Sequence, residues 1–243
     1  MNLLRSIVFV VWFYLTMAFW GLLYMPAVAM GHDKYIWYSM RGWGKATIWG
    51  LKWIVGVTIA FEGLEHLPKG AALIASKHQT TLDTVLPAQF VSAPVFVVKK
   101  ELIKMPVFGF YMKYGMIPVD REAHAKALKD MLRAARGVIA KGRQIVIYPE
   151  GTRQELDAPP DYKPGIAALY KDLALPVTPI ALNTGLVWKP SGIERRPGHV
   201  TIKILPAIPA GLPREEFMTR LEQVIESESQ ALLPPNKRRT VAA

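Results

Sequence analysis

The 243-residue chain contains no cysteine. That excludes disulfides, thiolate metal sites and a cysteine nucleophile. It also has no G-x-S-x-G elbow, so a covalent acyl-enzyme route lacks its usual serine. Neither a Walker A nor a dinucleotide glycine motif is present, which disfavours nucleotide chemistry. The five histidines (His32, His66, His78, His124, His199) are scattered and form no H-E-x-x-H pair, so nothing points to a metal site. Acidic residues are scarce, 19 against 30 Lys+Arg, giving a formal net charge of +11. So basic a balance suits an anionic partner: nucleic acid, an anionic bilayer or a phosphorylated metabolite. Composition alone does not choose among them.

Apolar residues are plentiful, at 51% of the chain. Between Arg5 and Asp33 lie 27 residues without a formal charge. A spanning helix needs roughly 20, so this run is long enough. The alternative is a signal peptide, since Arg5 precedes an apolar stretch ending in "AVA". Its apolar core, however, is well beyond the roughly 7–15 residues of an h-region. In the next segment, "KYIWYSMRGWGKATIWGLKWIVG", the only charges are Lys34, Arg41, Lys45 and Lys52. At helical spacing they fall within about 40° of one another, with Ile36, Met40, Trp43, Leu51 and Ile54 opposite. Such a tryptophan-rich basic helix suits the headgroup layer of an anionic membrane; the alternative is a helix packed on a soluble domain with a solvated basic face. Gly42, Gly44 and Gly50 argue against an uninterrupted helix. Together the two segments, residues 1–56, are expected to form a membrane-associated helical hairpin turning near "GHDK".

From Val57 the pattern changes. Short β-branched runs begin at Val57, Ala71, Pro94, Gly115, Arg143, Val177 and Val200, and are read as seven strands. Leu128, Met131, Leu132, Ala135, Val138 and Ile139 follow helical periodicity, and a second helix is expected from Pro213 to about Leu233. This alternation predicts an α/β domain over residues 57–233, a mixed but largely parallel sheet covered by helices. Residues 234–243 read as a polar tail.

Three polar segments follow predicted strands: "KHQTTLD", the pair Asp120-Arg121, and "PEGTR". Loops at strand ends are where α/β folds gather functional groups. On one continuous helix His78 and Asp83 would stand about 140° apart. Thr80 and Thr81 are N-cap candidates, however, which would leave His78 in the loop and Asp83 in the first turn, within reach of each other. Thr80-x-x-Asp83 also fits an approximate capping box, in which Asp83 only satisfies backbone N–H groups. A histidine oriented by a carboxylate is a general base able to take a proton from a hydroxyl. Arg121 and Arg153 are candidates to bind a phosphate, or alternatively surface partners of Asp120 and Glu150. Gly151 suits close backbone approach to an anion.

These residues resemble the glycerolipid acyltransferase family, and within it the bacterial lysophosphatidic acid branch. "HQTTLD", "GMIPVDR", "YPEGTR" and "VTPIALNTG" are similar to its four motifs in order and spacing, with "FEGLEHLP" leading in and "VKKELIKMPVFG" intervening. The resemblance covers roughly Val57 to Leu205. It implies transfer of an acyl group from acyl-CoA or acyl-carrier protein to the free hydroxyl of a lysophospholipid, beside anionic membrane lipids and not on nucleic acid. It implies His78 as the base and Asp83 as its support. Arg121, Glu150, Gly151, Thr152 and Arg153 would bind the acceptor. No metal or redox cofactor is implied. The competing readings are an acyltransferase for another lysolipid and a non-enzymatic lipid-binding protein. Two departures stand out: Tyr148 occupies a position that often carries phenylalanine, and "QELDAPPDY" separates Arg153 from Lys163, a weak candidate for anion contact.

Overall fold

The structure is a computed structural model that describes residues 2–120 and 124–239. The hairpin is α1 (Asn2–Ala29) and α2 (Lys34–Gly50), the latter continued by one π-helical turn, Leu51–Val55. The seven strands are β1 (Val57–Glu62), β2 (Ala72–Ser76), β3 (Pro94–Lys99), β4 (Ile117–Val119), β5 (Gln144–Ile147), β6 (Val177–Leu182) and β7 (Gly198–Ile204). Between them run the short helices α3 (Leu82–Val85) and α4 (Pro87–Phe90), then α5 (Phe108–Gly115), α6 (His124–Ala140) and α7 (Gly165–Leu173). Helix α8 (Arg214–Ala231) follows the last strand.

The strand order is β1-β7-β6-β2-β5-β3-β4, and only the β6–β7 pairing is antiparallel. The expected mixed, largely parallel sheet is therefore what forms, and its central strands β2, β5 and β6 are buried throughout. Alternating residues divide the core into two layers, as the period-2 pleat requires. Ile74, Val146 and Ile180 face the hairpin, packing in one cluster with Phe9, Phe13, Trp43 and Leu51. Leu73, Ile145 and Val177 face the other way, against Met131 of α6, Ile166 of α7 and Phe217 of α8.

The hairpin thus supplies one covering layer of the sheet. Phe9 and Phe13 meet Trp188 edge-on, the Arg195 amide donates to Ser6 Oγ (2.8 Å), and Tyr111 Oη donates to the Gly21 carbonyl (2.6 Å). The apolar side of α2 is spent on this packing: Ile36, Trp43 and Leu51 are buried, while Lys34, Arg41, Lys45 and Lys52 stay exposed. The glycines do not interrupt α2, because they make room. A Cβ at Gly50 would lie 2.4 Å from Trp12, and one at Gly42 would lie 2.4 Å from Trp20. The outer face of α1 carries a different stripe. Leu4, Ile7, Val8, Val11, Leu15, Phe19 and Leu22 are exposed at intervals of one helical turn.

Candidate active site

Strands β6, β2 and β5 are neighbours; "KHQTTLD" follows β2, "PEGTR" follows β5, and the end of "VTPIALNTG" follows β6. The loop after β2 is built around the Asp83 carboxylate. Its Oδ2 accepts the backbone amides of Gln79 (2.5 Å) and Thr80 (2.7 Å), and its Oδ1 accepts the Thr184 hydroxyl (2.5 Å) from the segment after β6. Thr80 Oγ1 accepts the Leu82 amide at 3.0 Å, so Thr80 and Asp83 both take up backbone amides at the start of α3. The same Oδ2 lies 3.2 Å from His78 Nδ1. Capping and pairing are therefore one arrangement: the cap turns the chain so that the imidazole folds back onto the carboxylate.

Asp83 is buried and surrounded by donors, so it acts as an acceptor and His78 Nδ1 carries the shared proton. Nε2 is then the ring nitrogen with a lone pair for chemistry. The imidazole stacks on Tyr148, ring centroids 4.3 Å apart at 28°. The Tyr148 hydroxyl donates to the Asp83 carbonyl at 2.8 Å, and burial pushes this phenol well above its ordinary pKa.

The segment after β5 closes the other side. Arg153 is exposed and donates from Nη1 to Thr81 Oγ1 at 3.1 Å, placing its guanidinium beside the histidine loop. Gly151 sits at φ +69°, a left-handed turn that favours glycine and lets the chain reverse at the strand end. Thr152 is exposed next to it. Glu150 points inward instead: it is 1% exposed, with Oε1 2.5 Å from Lys77 Nζ and Oε2 accepting the His78 amide at 2.9 Å. Arg121 lies outside the described residues. Its neighbour Asp120 follows β4, which is separated from β5 by β3, about 10 Å at the usual strand spacing. Two of the three expected polar clusters therefore adjoin directly, and the third stands at the sheet edge.

The chain matches a known family. The acyltransferase family model matches residues 58–183, more than half of the chain, including the three polar segments at strand ends. A 1-acyl-sn-glycerol-3-phosphate acyltransferase of Pseudomonas aeruginosa is 31% identical over 83% of this chain and 80% of its own length. The chain belongs to the acyltransferase family. A 1-acyl-sn-glycerol-3-phosphate acyltransferase of Cocos nucifera is 28% identical over 79% of this chain, which spans 63% of that relative. The crystal structure of the 1-acyl-sn-glycerophosphate (LPA) acyltransferase PlsC from Thermotoga maritima superposes with a TM-score of 0.79, covering 96% of this chain and 98% of that one. At 22% identity, that likeness speaks for the fold.

In this acyltransferase the loop from Gln154 to Tyr162 is tied down at both ends. The Gln154 amide donates to the His78 carbonyl at 2.8 Å, and Tyr162 Oη donates to Glu226 at 3.2 Å. Lys163 pairs at the surface with Asp161. Among the described residues no group of His, Asp and Glu is arranged to hold a metal ion. Lys77, Gln79, Tyr148, Thr184 and Glu226 were not singled out as site components in the sequence. Lys77 and Gln79 lie within "KHQTTLD", Tyr148 within "YPEGTR" and Thr184 within "VTPIALNTG", whereas Glu226 carried no signal.

Proposed function

We propose that the protein transfers a fatty acyl group from a thioester, acyl-CoA or acyl-carrier protein, to the free sn-2 hydroxyl of lysophosphatidic acid, giving phosphatidic acid. The observation that carries this is the His78–Asp83 pair, Nδ1 engaged and Nε2 left for chemistry, in a chain of the acyltransferase family. His78 Nε2 takes the hydroxyl proton as the oxygen attacks the thioester carbonyl. Asp83 supports the imidazolium that forms. The tetrahedral intermediate collapses with cleavage of the C–S bond, and the departing thiolate recovers the proton. An activated thioester needs no covalent acyl-enzyme. Arg153, Thr152 and Gly151 on one side, with Arg121, bind the acceptor's phosphate end.

The relatives' names support the acceptor, and the apolar outer face of α1 supports work at a membrane. Residues 1–56 are the membrane-associated segment, 57–233 the catalytic domain and 234–243 a polar tail. A cytosolic thioester places the domain on the cytoplasmic face, where the exposed basic stripe of α2 meets anionic lipid. The test is transfer of a labelled acyl group to lysophosphatidic acid by the purified full chain in anionic vesicles. His78→Ala should abolish transfer while vesicle binding persists. Undiminished transfer in that variant ends the mechanism, and label retained on the protein after denaturation ends the direct-attack step.

A further inference from the structure

Beneath the catalytic loop lies a buried cluster of charges. Lys77, the residue before His78, is 4% exposed at the end of β2. Its Nζ sits 2.5 Å from Glu150 Oε1 and 2.5 Å from Glu226 Oε1 on α8. Glu226 also accepts Tyr162 Oη (3.2 Å) and pairs through Oε2 with Arg239 of the C-terminal segment. Two cations thus balance two carboxylates. One oxygen of the four acts outside the cluster: Glu150 Oε2, which accepts the His78 backbone amide at 2.9 Å.

We propose that Lys77 and Glu226 are positioning residues, which hold Glu150 so that its second oxygen fixes the backbone of the general base. On this reading Glu150 serves the acceptor site through the loop it anchors rather than by contact. It also makes α8, some 70 residues beyond "EGTR", part of the catalytic apparatus. The inference rests on the proposed acyl transfer and deepens it. A buried ion pair gains little net stability, whereas removing one partner leaves an uncompensated charge. Deleting Lys77 therefore drives Glu150 and Glu226 apart, and the amide loses its acceptor. The groups facing one another here are Lys77 and His78 after β2, Glu150 after β5, Tyr162 before α7, Glu222 and Glu226 on α8, and Arg239.

The test uses the full chain in anionic vesicles with lysophosphatidic acid and acyl-CoA. Lys77→Met should lower kcat at least tenfold while the acceptor KM stays within threefold. Lys77→Met with Glu150→Gln should recover kcat to within threefold of the parent, because a glutamine carbonyl can still accept the His78 amide and no charge is left unpaired. The single variant should also regain activity relative to the parent as pH falls, since protonating either carboxyl relieves the repulsion. Amide exchange of the peptide containing His78 should quicken in Lys77→Met and return in the double variant. Parental kcat in Lys77→Met overturns the proposal. So does a double variant worse than the single, or an acceptor KM that rises with kcat unchanged, either of which would mark direct substrate contact. If Lys77→Met does not fold, the double variant alone decides by its kcat. Absence of transfer in the parent chain would instead sink the proposed function and leave the exchange comparison to judge the positioning role.

Discussion

At the residue scale, one carboxylate both takes up the amides at a helix start and engages the imidazole of the proposed base, and the two duties separate in variants. Asp83→Asn keeps one acceptor oxygen but turns an NH2 toward amides and a hydroxyl that already donate. We expect kcat to fall on the order of 10²- to 10⁴-fold, the range of a general base's contribution. Stability should fall by about 1–3 kcal/mol from unsatisfied buried donors. Steady-state kinetics with thermal melting checks both, and a rate within threefold of the parent would refute the pairing. Tyr148 supplies a ring to the imidazole and a hydroxyl to the Asp83 carbonyl. Tyr148→Phe keeps the ring, so kcat should stay within about tenfold, the scale of one net hydrogen bond. Tyr148→Leu removes the stacked face and should be markedly slower; equal rates for the two would show that stacking is irrelevant. Arg153→Ala should raise the KM for a phosphorylated acceptor far more than the KM for the thioester. An unchanged acceptor KM would remove Arg153 from the phosphate site.

At the element scale, the hairpin interface depends on close approach. Alanine ordinarily favours a helix over glycine by about 1 kcal/mol. Gly50→Ala should nonetheless destabilise, because its Cβ meets Trp12, whose indole is pinned by donation to the Ala46 carbonyl at 2.8 Å. Overpacking of this kind costs typically 1–3 kcal/mol. A raised melting temperature would contradict the packing described. The same interface shows what was legible beforehand. The periodicity of α6 and the β-branched runs gave elements that the structure contains, since one buried face imposes a spacing on local sequence. The polar segments at the ends of β2 and β5 stood out in the sequence by residue type, and the structure brings them side by side. Neither α5 nor α7 was foreseen, each being under ten residues with little room for a period to repeat. Strand order was hidden too, so Asp120 appeared to converge with the other clusters while β3 intervenes. Lys77 looked like any polar residue leaving a strand. Its meaning depends on Glu226, which only the tertiary fold brings to it.

At the scale of the whole molecule, the hairpin has two apolar faces with different tasks. Phe9, at 0% exposure, belongs to the core beneath the sheet, whereas Leu15, at 64%, faces outward in the exposed stripe. A glutamate at the first position must bury a charge against Trp188 and the sheet, a cost of several kcal/mol that a marginally stable fold does not tolerate. At the second position it meets solvent in the detergent-free protein, and the fold should survive. The apolar stripe is left largely exposed, and membrane lipid is a surface able to take it up. Leu15→Glu combined with Phe19→Glu should therefore leave the melting profile near the parental one while sharply reducing sedimentation with anionic vesicles. The basic stripe of α2 adds a screened attraction, so residual binding of that variant should weaken further between low and physiological salt. Transfer to lysophosphatidic acid presented in vesicles should fall with binding, and transfer to the same acceptor in mixed micelles should fall less. If sedimentation were unaffected, the outer face of α1 would not be the membrane contact, and the association would have to come from the basic residues of α2 alone.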